Sequence, residues 1–288
     1  MATESSIMEA QAYLDGMLDD VEATFQYTSP GTTEKALRDF LNNASDRDQN
    51  IYDHTVLVTG FSFPPDTPPD IEVDNPLFLK GFKLLYFKDF KILIVTMSGL
   101  LHEEAASRLG ALLNIKVNDM QCFEEIGITG RVRLELENIE KEPDGSWGPE
   151  RYPYHPTCIV EAASSQSMRS LQNVAHLWLE KSTSLVSQVI TIKIYPGKRE
   201  LIFGVWVMKN QAHNGKPLAD IEQEVKVVWQ GGKYGRPVAE KSLRISFQKL
   251  FERKPRRGTA ETDIIFSARE LGSIARHVWQ KLGLVDHE

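Results

Sequence analysis

Two carboxylates and one lysine stand where a short stretch of chain can bring them together. Asp144 lies in a loop between Pro143 and Gly145, and Glu161 lies inside the apolar run Thr157–Ala163. Strand side chains alternate between faces, so Thr157, Ile159, Glu161 and Ala163 share one side. A carboxylate in that setting is costly unless it is paired or holds a cation. A strand and its preceding loop that join Asp144 to Glu161 would suit a hard divalent ion such as Mg²⁺. Such an ion activates water and stabilises charge on a phosphoryl group. In the run Val189–Ile194, Lys193 shares a face with Val189 and Thr191. It comes beside Glu161 if the two strands are neighbours joined by the helix between them. Ser165 and Ser167 precede that helix; their hydroxyls can cap it, and its first amides can help to bind phosphate.

These residues need a scaffold. Thr157–Ala163 and Val189–Tyr195 read as strands, and Met168–Lys181 as a helix with Leu171, Val174, Ala175, Trp178 and Leu179 inward. Upstream, Phe82–Phe87 and Phe90–Met97 read as paired runs around a Lys88-Asp89 turn. A helix opens at Ser98 or Gly99 and reaches about Asn114, with Leu101, Ala105, Leu109, Leu112 and Leu113 on one face. Ile128–Leu136 is predicted as one strand, and Glu140–Pro156, with four prolines and two glycines, as a loop. Strands are expected over Glu200–Met208, Glu224–Trp229 and Ser242–Phe247, and a last helix over Ser267–Leu282 with Ser267 as its cap. Before all this come a weak helical pattern over residues 1–26, a short helix over Thr32–Leu41, a polar loop over Asn42–Asp53, and a strand at Thr55–Gly60. Phe63–Pro76 holds five prolines and reads as an extended linker. The expected division is an appendage over residues 1–75 and a main domain over residues 76–288. The expected fold class is α/β, a mixed central sheet flanked by helices, with an N-terminal helical appendage.

The motifs form a series: Lys141-Glu142-Pro143-Asp144 with Trp147, Pro156-Thr157 with Glu161, Ser165 and Ser167, Trp178-Leu179, and Ile192-Lys193-Ile194. This series resembles the PD-(D/E)XK nuclease superfamily, the restriction-endonuclease-like fold. It is most similar to a fungal branch of short intracellular proteins. The resemblance spans about Leu100–Met208, reaches loosely to His277-Val278-Trp279, and does not include residues 1–75. It implies a restriction-endonuclease-like core with Asp144 and Glu161 as metal ligands, the metal being Mg²⁺ or Mn²⁺. It also implies an acidic residue from the first core helix, for which Glu103 is the preferred candidate, and a lysine that orients the attacking water. The superfamily's lysine stands two residues after the glutamate, where this chain has Ala163. Lys193 on the next strand is the expected replacement.

Plainer readings stand beside these. Pro143-Asp144 also suits an ordinary turn, and Lys193 also suits a structural pair with Glu161. Glu103 and Glu104 are favourable charges in a first helical turn, and His102 reads as a helix-start side chain. Gln166 reads as part of the capping loop, with a base or backbone contact as its alternative. Trp147, Trp178 and Trp279 read as core. Arg253-Lys254-Pro255-Arg256-Arg257 reads as an exposed loop, with phosphate contact or nuclear import as the alternative. Pro69-Asp70 mimics the Pro143-Asp144 motif but precedes the first core helix instead of following it.

The 288 residues are 41% hydrophobic and 25% charged, ordinary for a globular chain. Two cysteines, Cys122 and Cys158, exclude a disulfide-rich scaffold. The first residues lack the basic and apolar regions of a secretory signal, and the apolar run Lys91–Met97 is far shorter than the ~20 residues that span a bilayer. An intracellular protein, cytoplasmic or nuclear, without membrane contact is expected. The net charge of −7 hides an asymmetry: residues 1–180 carry 14 basic and 29 acidic side chains, residues 181–260 carry 16 and 6. The basic stretch is the candidate face for a nucleic-acid backbone. The first expected function is a Mg²⁺-dependent phosphodiesterase on nucleic acid, DNA favoured, using Asp144, Glu161, Lys193 and Glu103. The alternative is a catalytically inactive nuclease-fold module for nucleic-acid binding or protein interaction.

Overall fold

Runs of period two and runs of period 3.6 alternate along the chain, and most become the element their period calls for. The structure, a computed structural model, describes residues 4–62, 82–181, 183–213, 216–231 and 235–284. In chain order these are α1 (Glu4–Leu18), β1 (Ala23–Gln26), α2 (Pro30–Asp48), β2 (His54–Thr59), β3 (Lys83–Phe87), β4 (Ile92–Met97) and α3 (Leu100–Asp119). Then come β5 (Ile126–Ile128), β6 (Leu134–Leu136), β7 (Ile139–Lys141), β8 (Gly145–Pro149), β9 (Cys158–Ala163), α4 (Met168–Glu180) and β10 (Gln188–Tyr195). The chain continues with β11 (Glu200–His213), β12 (Lys216–Gln230), β13 (Arg236–Ala239), β14 (Leu243–Ile245), α5 (Phe247–Phe251), β15 (Ile264–Phe266) and α6 (Ala268–Lys281).

The strands form two large sheets, ordered β1-β2-β4-β3-β7-β6 and β13-β12-β11-β10-β9-β8-β5, and a small β14-β15 pair. Both large sheets are mixed: β1 and β2 are parallel, as are β9 and β10, and the other pairings are antiparallel. The parallel β9–β10 step is bridged by α4, as a crossover requires. The expected α/β class with mixed sheets and flanking helices is what the chain adopts.

Alternation sorts the side chains into layers. On one face of the seven-stranded sheet, Val160, Ala162, Ile190, Ile192 and Phe203 pack with α3 and α6 through Leu109, Leu113, Ile274 and Trp279. On the other face, Ile159, Val189 and Trp206 meet Val174, Trp178 and Leu179 of α4. The same apolar layer takes in Leu57, Leu85, Phe87 and Ile94 of the six-stranded sheet and Leu14 and Met17 of α1. The outer face of the six-stranded sheet, with Val56, Val58 and Leu93, is closed by Leu37 and Leu41 of α2. The two sheets therefore share one core, and a site between them can draw residues from both.

Several expectations need correction. The N-terminal segment is not an appendage: β2 pairs with β4, and β1 pairs with β2, within one sheet. The linker Phe63–Pro76, its Pro69-Asp70 and the boundary near Asn75 lie outside the described residues. The strands on either side of them are hydrogen-bonded neighbours at one remove, so residues 76–288 do not form a separate unit. Local composition cannot reveal this, because the apolar run of β2 finds its partner some forty residues later. The helix expected over Thr32–Leu41 continues as α2 to Asp48, through residues read as loop. Ile128–Leu136 is split by a turn at Gly130, whose φ is +60°, and its two ends enter different sheets. Gly145–Pro149, read as loop, is strand β8, between the edge strand β5 and β9. Ser242–Phe247 is only a short strand, because Ser246 caps α5 by accepting from the Lys249 amide.

Candidate active site

Asp144 immediately precedes β8, and its backbone amide donates to the Val160 carbonyl of β9. That bond lays the carboxylate across the strand that carries Glu161. The two carboxylates converge on one cation, the ammonium of Lys83. Its Nζ lies 2.7 Å from Asp144 Oδ1 and 2.5 Å from Glu161 Oε2. Lys83 opens β3 in the other sheet and shares the inward face of that strand with Leu85 and Phe87.

The remaining carboxylate oxygens are also taken. Asp144 Oδ2 accepts from the Ala162 amide at 2.7 Å. Glu161 Oε1 faces Lys141 Nζ at 3.0 Å and accepts from the Trp178 indole at 2.5 Å. His102, in the first turn of α3, stands between two acids, with Nε2 2.9 Å from Asp144 Oδ1 and Nδ1 3.2 Å from Asp53 Oδ1. These imidazole contacts lie outside hydrogen-bond angles, so they act as charge contacts. Asp53 also accepts from the amides of Gly99 at 2.9 Å and Ser164 at 2.7 Å. Gly99 admits this approach because a Cβ there would stand 2.4 Å from the Tyr52 backbone.

Every side chain of the cluster is buried. Burial disfavours a protonated imidazole, but Asp144 and Asp53 outweigh it and lift the His102 pKa to about 10. Burial alone would raise Asp53; His102 and the two amides bring it down to about 2. Burial likewise opposes charge on Asp144, yet His102 and Lys83 hold it well below the usual carboxylate range. Lys83 is raised, because Asp144 and Glu161 overcome its desolvation. Lys141 is lowered: burial is only partly offset by Glu161. The acids Asp53, Asp144 and Glu161 thus face the bases Lys83, Lys141 and His102 in a cluster that balances its own charge.

The structure brings together Asp144 and Glu161 but neither Glu103 nor Lys193 with them. Glu103 is on the outer side of α3 and pairs with Arg131. The helical period buries Leu101, His102, Ala105 and Ala106 instead, so the neighbouring His102 is the α3 residue that reaches Asp144. Lys193 is on β10 beside β9 as expected, but in register with Ala163; Thr191 is opposite Glu161. It therefore stands next to the position of the missing lysine, and its Nζ donates to the Ser164 carbonyl at 2.9 Å. Burial lowers its pKa to about 8, with Asp53 and Asp20 only partly compensating.

Asp53, Lys83, Lys141 and His102 were not singled out as site residues by their sequence context. Lys83 and Lys141 each end a strand whose other inward residues are apolar, the same signal that picked out Lys193. Trp178 is core, as expected, yet its indole N–H adds a polar role. Lys83, Lys141, Glu161, Thr55, Thr96 and Gln166 border a small cleft of about 30 Å³, with Met17 of α1 against it. Gln166 also borders a second, open cleft of about 530 Å³ at the carboxyl ends of β9 and β10, lined by Ser165, Ser167, Lys193, Tyr195 and Lys198. The ammoniums of Lys193 and Lys198 lie 4.9 and 5.2 Å from the centre of the Tyr195 ring. The first turn of α4 there is capped, since Ser167 Oγ accepts from the Ser170 amide at 3.1 Å, and Ser167 in turn donates from N and Oγ to Asp20 at 2.9 and 3.2 Å.

A divalent ion does not fit this arrangement. Mg²⁺ requires near-octahedral oxygen ligands at about 2.0–2.1 Å. Here one oxygen of each carboxylate is bridged by an ammonium, and the other accepts from an amide or an indole. Elsewhere among the described residues, Cys122, Glu125 and Glu261 bring ligand atoms within 4.8 Å of one another. Arg253 and Arg256 bind both carboxylates of that group. These arginines, read above as part of an exposed loop with phosphate contact or import as the alternative, anchor the loop between α5 and β15.

No helix among the described residues is long and apolar enough to cross a membrane. No protein-family model matches the chain, and no curated protein matches it. Among solved structures, it is similar to a protein from Anabaena variabilis described as a "putative nuclease belonging to DUF820". The identity is 14%, over 67% of this chain and 90% of that one, with a TM-score of 0.41.

Proposed function

We propose that this protein is a nuclease-fold module that binds nucleic acid and does not hydrolyse it through a bound metal. The nuclease part of the reading rests on the motif series together with the run α3, β5, β8, β9, α4, β10, which sets Asp144 before β8 and Glu161 within its neighbour β9. The observation that carries the non-hydrolytic part is that three of the four carboxylate oxygens of that pair accept hydrogen bonds from the protein itself, and the fourth, Asp144 Oδ1, is in charge contact with Lys83 and His102. Water activation needs an open coordination position on an ion, and here the Lys83 ammonium takes the point where the two carboxylates converge. Support for nucleic acid comes from the open cleft, where two ammoniums flank an aromatic ring. Phosphate oxygens suit the lysines, and a base suits the ring face. Ser167 already caps α4 and is itself held by Asp20, so phosphate contact falls to Lys193 and Lys198. The basic stretch contributes less than its charge suggests, because Lys209, Lys226, Arg244, Arg253 and Arg256 are paired with acids.

One observation favours the second reading, a Mg²⁺-dependent phosphodiesterase with DNA as preferred substrate: Asp144 and Glu161 do converge on a single cation. Fluorescence anisotropy and a cleavage assay decide between them, using single- and double-stranded DNA and RNA with EDTA, Mg²⁺ or Mn²⁺. The expected result is salt-dependent binding in EDTA, weakened roughly tenfold in Lys198→Glu as phosphate contact is lost, and intact substrate in either metal. Metal-dependent cleavage that disappears in Asp144→Asn and Glu161→Gln would establish the second reading. Absence of binding to every oligonucleotide would refute the first.

A further inference from the structure

We propose that the Lys83 ammonium is the resident cation of the Asp144–Glu161 pair, standing where a nuclease of this fold would hold its metal, so that the centre is metal-independent. The inference rests on the nuclease-fold reading above and extends it to the identity of the cation.

Three observations converge. The first is position: a single nitrogen bridges one oxygen from each carboxylate, at 2.7 and 2.5 Å. That is the bridging role of a metal ion, performed with hydrogen-bonding distances. The second is charge. Asp53, Asp144 and Glu161 are already matched by Lys83, Lys141 and His102 in a buried space. A divalent ion added to this set would bring two uncompensated charges into a region that penalises them. The third is anchorage. Lys83 belongs to β3, which is hydrogen-bonded to β4 on one side and β7 on the other, with Lys83 itself in register with Thr96. Its neighbour along the inward face, Leu85, is part of the shared core. The strand that supplies the ammonium is held from both sides.

The arrangement also accounts for the alanine at position 163. A lysine there would be a further cation beside a pair that Lys83 and Lys141 already neutralise. Lys83 comes from the sheet that includes the N-terminal strands, outside the span of the motif series.

The test uses the full chain, stripped of metal and free of nucleic acid, with Mn²⁺ as the probe. Bound Mn²⁺ is read from loss of the free-ion signal in electron paramagnetic resonance, and stability from thermal melting. The wild type is expected to show no stoichiometric site, and a melting temperature that 5 mM Mn²⁺, the concentration used, moves by less than ~1 °C. Lys83→Ala exposes a carboxylate pair with uncompensated charge. It is expected to bind one Mn²⁺ per chain at least ~10-fold more tightly than the wild type, and to gain roughly 5 °C on adding the ion. Both gains should vanish in the double variant Lys83→Ala/Glu161→Gln. Lys83→Met keeps the aliphatic stem and should show the same gain, which covers the case in which the alanine variant fails to fold. If neither variant folds, the wild-type titration decides.

Stoichiometric Mn²⁺ binding by the wild type that is lost in Glu161→Gln would overturn the proposal, as would folded lysine variants with no gain in metal affinity. These readouts contain no oligonucleotide, so a failure of nucleic-acid binding leaves them intact, and the reverse also holds.

Discussion

Lys83 and Lys193 are both buried lysines, and the strands that carry them meet the same neighbourhood around Glu161. Lys83 faces two carboxylates, and its pKa is raised. Lys193 faces a carbonyl and a tyrosine ring, and its pKa falls to about 8. Residue type and burial are alike; the charge of the partner differs. Desolvation acts against both ammoniums, and only an adjacent anion reverses it. One cleft is therefore a closed, neutral centre. The other is an open pocket with a cation whose charge is easily removed. The comparison separates holding a fold together from meeting a ligand, two tasks that the sequence assigned to one site.

The largest break in this comparison comes from Glu161. Glu161→Gln leaves Lys83 and Lys141 buried with one negative charge fewer, and breaking such a pair costs about 3–5 kcal/mol. Urea denaturation should show that loss. Lys193→Met, by contrast, removes a buried cation that has no carboxylate partner within bonding distance among the described residues. It should change stability by no more than ~1 kcal/mol, in either direction. Equal losses in the two variants would refute the distinction.

pH sharpens the comparison next. His102 titrates at about 10 in the folded chain against an ordinary 6.5. Its contribution to stability is complete below 6.5 and is lost as pH rises toward 10. Lys193 acts in the opposite sense: its folded value of about 8 lies below the ordinary 10.5, so stability rises with pH between the two. The two oppose each other above pH 8, which concentrates the decline between about 6.5 and 8. The slope there should approach 1.4 kcal/mol per pH unit, as an upper bound of about one proton. Denaturation midpoints across that range should flatten in His102→Gln and keep their slope in Lys193→Met.

The smallest effect is spectroscopic. In reductively ¹³C-methylated protein, the Lys193 resonance should titrate near pH 8, while that of Lys83 should stay fixed through the alkaline range. A Lys193 resonance titrating at the ordinary lysine value would remove the basis for treating its pocket as distinct.

Much of the scaffold was legible in the chain. The α4 stripe of Leu171, Val174, Ala175, Trp178 and Leu179 is buried as its period requires. Ser267 caps α6 through a reciprocal bond with Glu270, as a local signal can specify. Asp144 and Glu161 also stood out, because a carboxylate in an apolar strand and one in a Pro-Gly loop are locally unusual. Their convergence was legible too, since β8 and β9 are close in sequence.

What the sequence determined by itself was thus whatever depends on neighbours along the chain: helical faces, caps, strand alternation and the acidic pair. What only the tertiary structure decided was the counter-charge. Lys83 reaches the pair from a strand outside the motif series, Asp53 reaches His102 from a segment that local reading placed in the appendage, and His102 replaces Glu103 through a rotation of about 100° per helical residue. The physical reason is range. Hydrogen bonds and periodicity act over a few residues, whereas a buried carboxylate must be neutralised by whatever cation the packed sheets bring within reach. Here that cation comes from a strand 78 residues before Glu161.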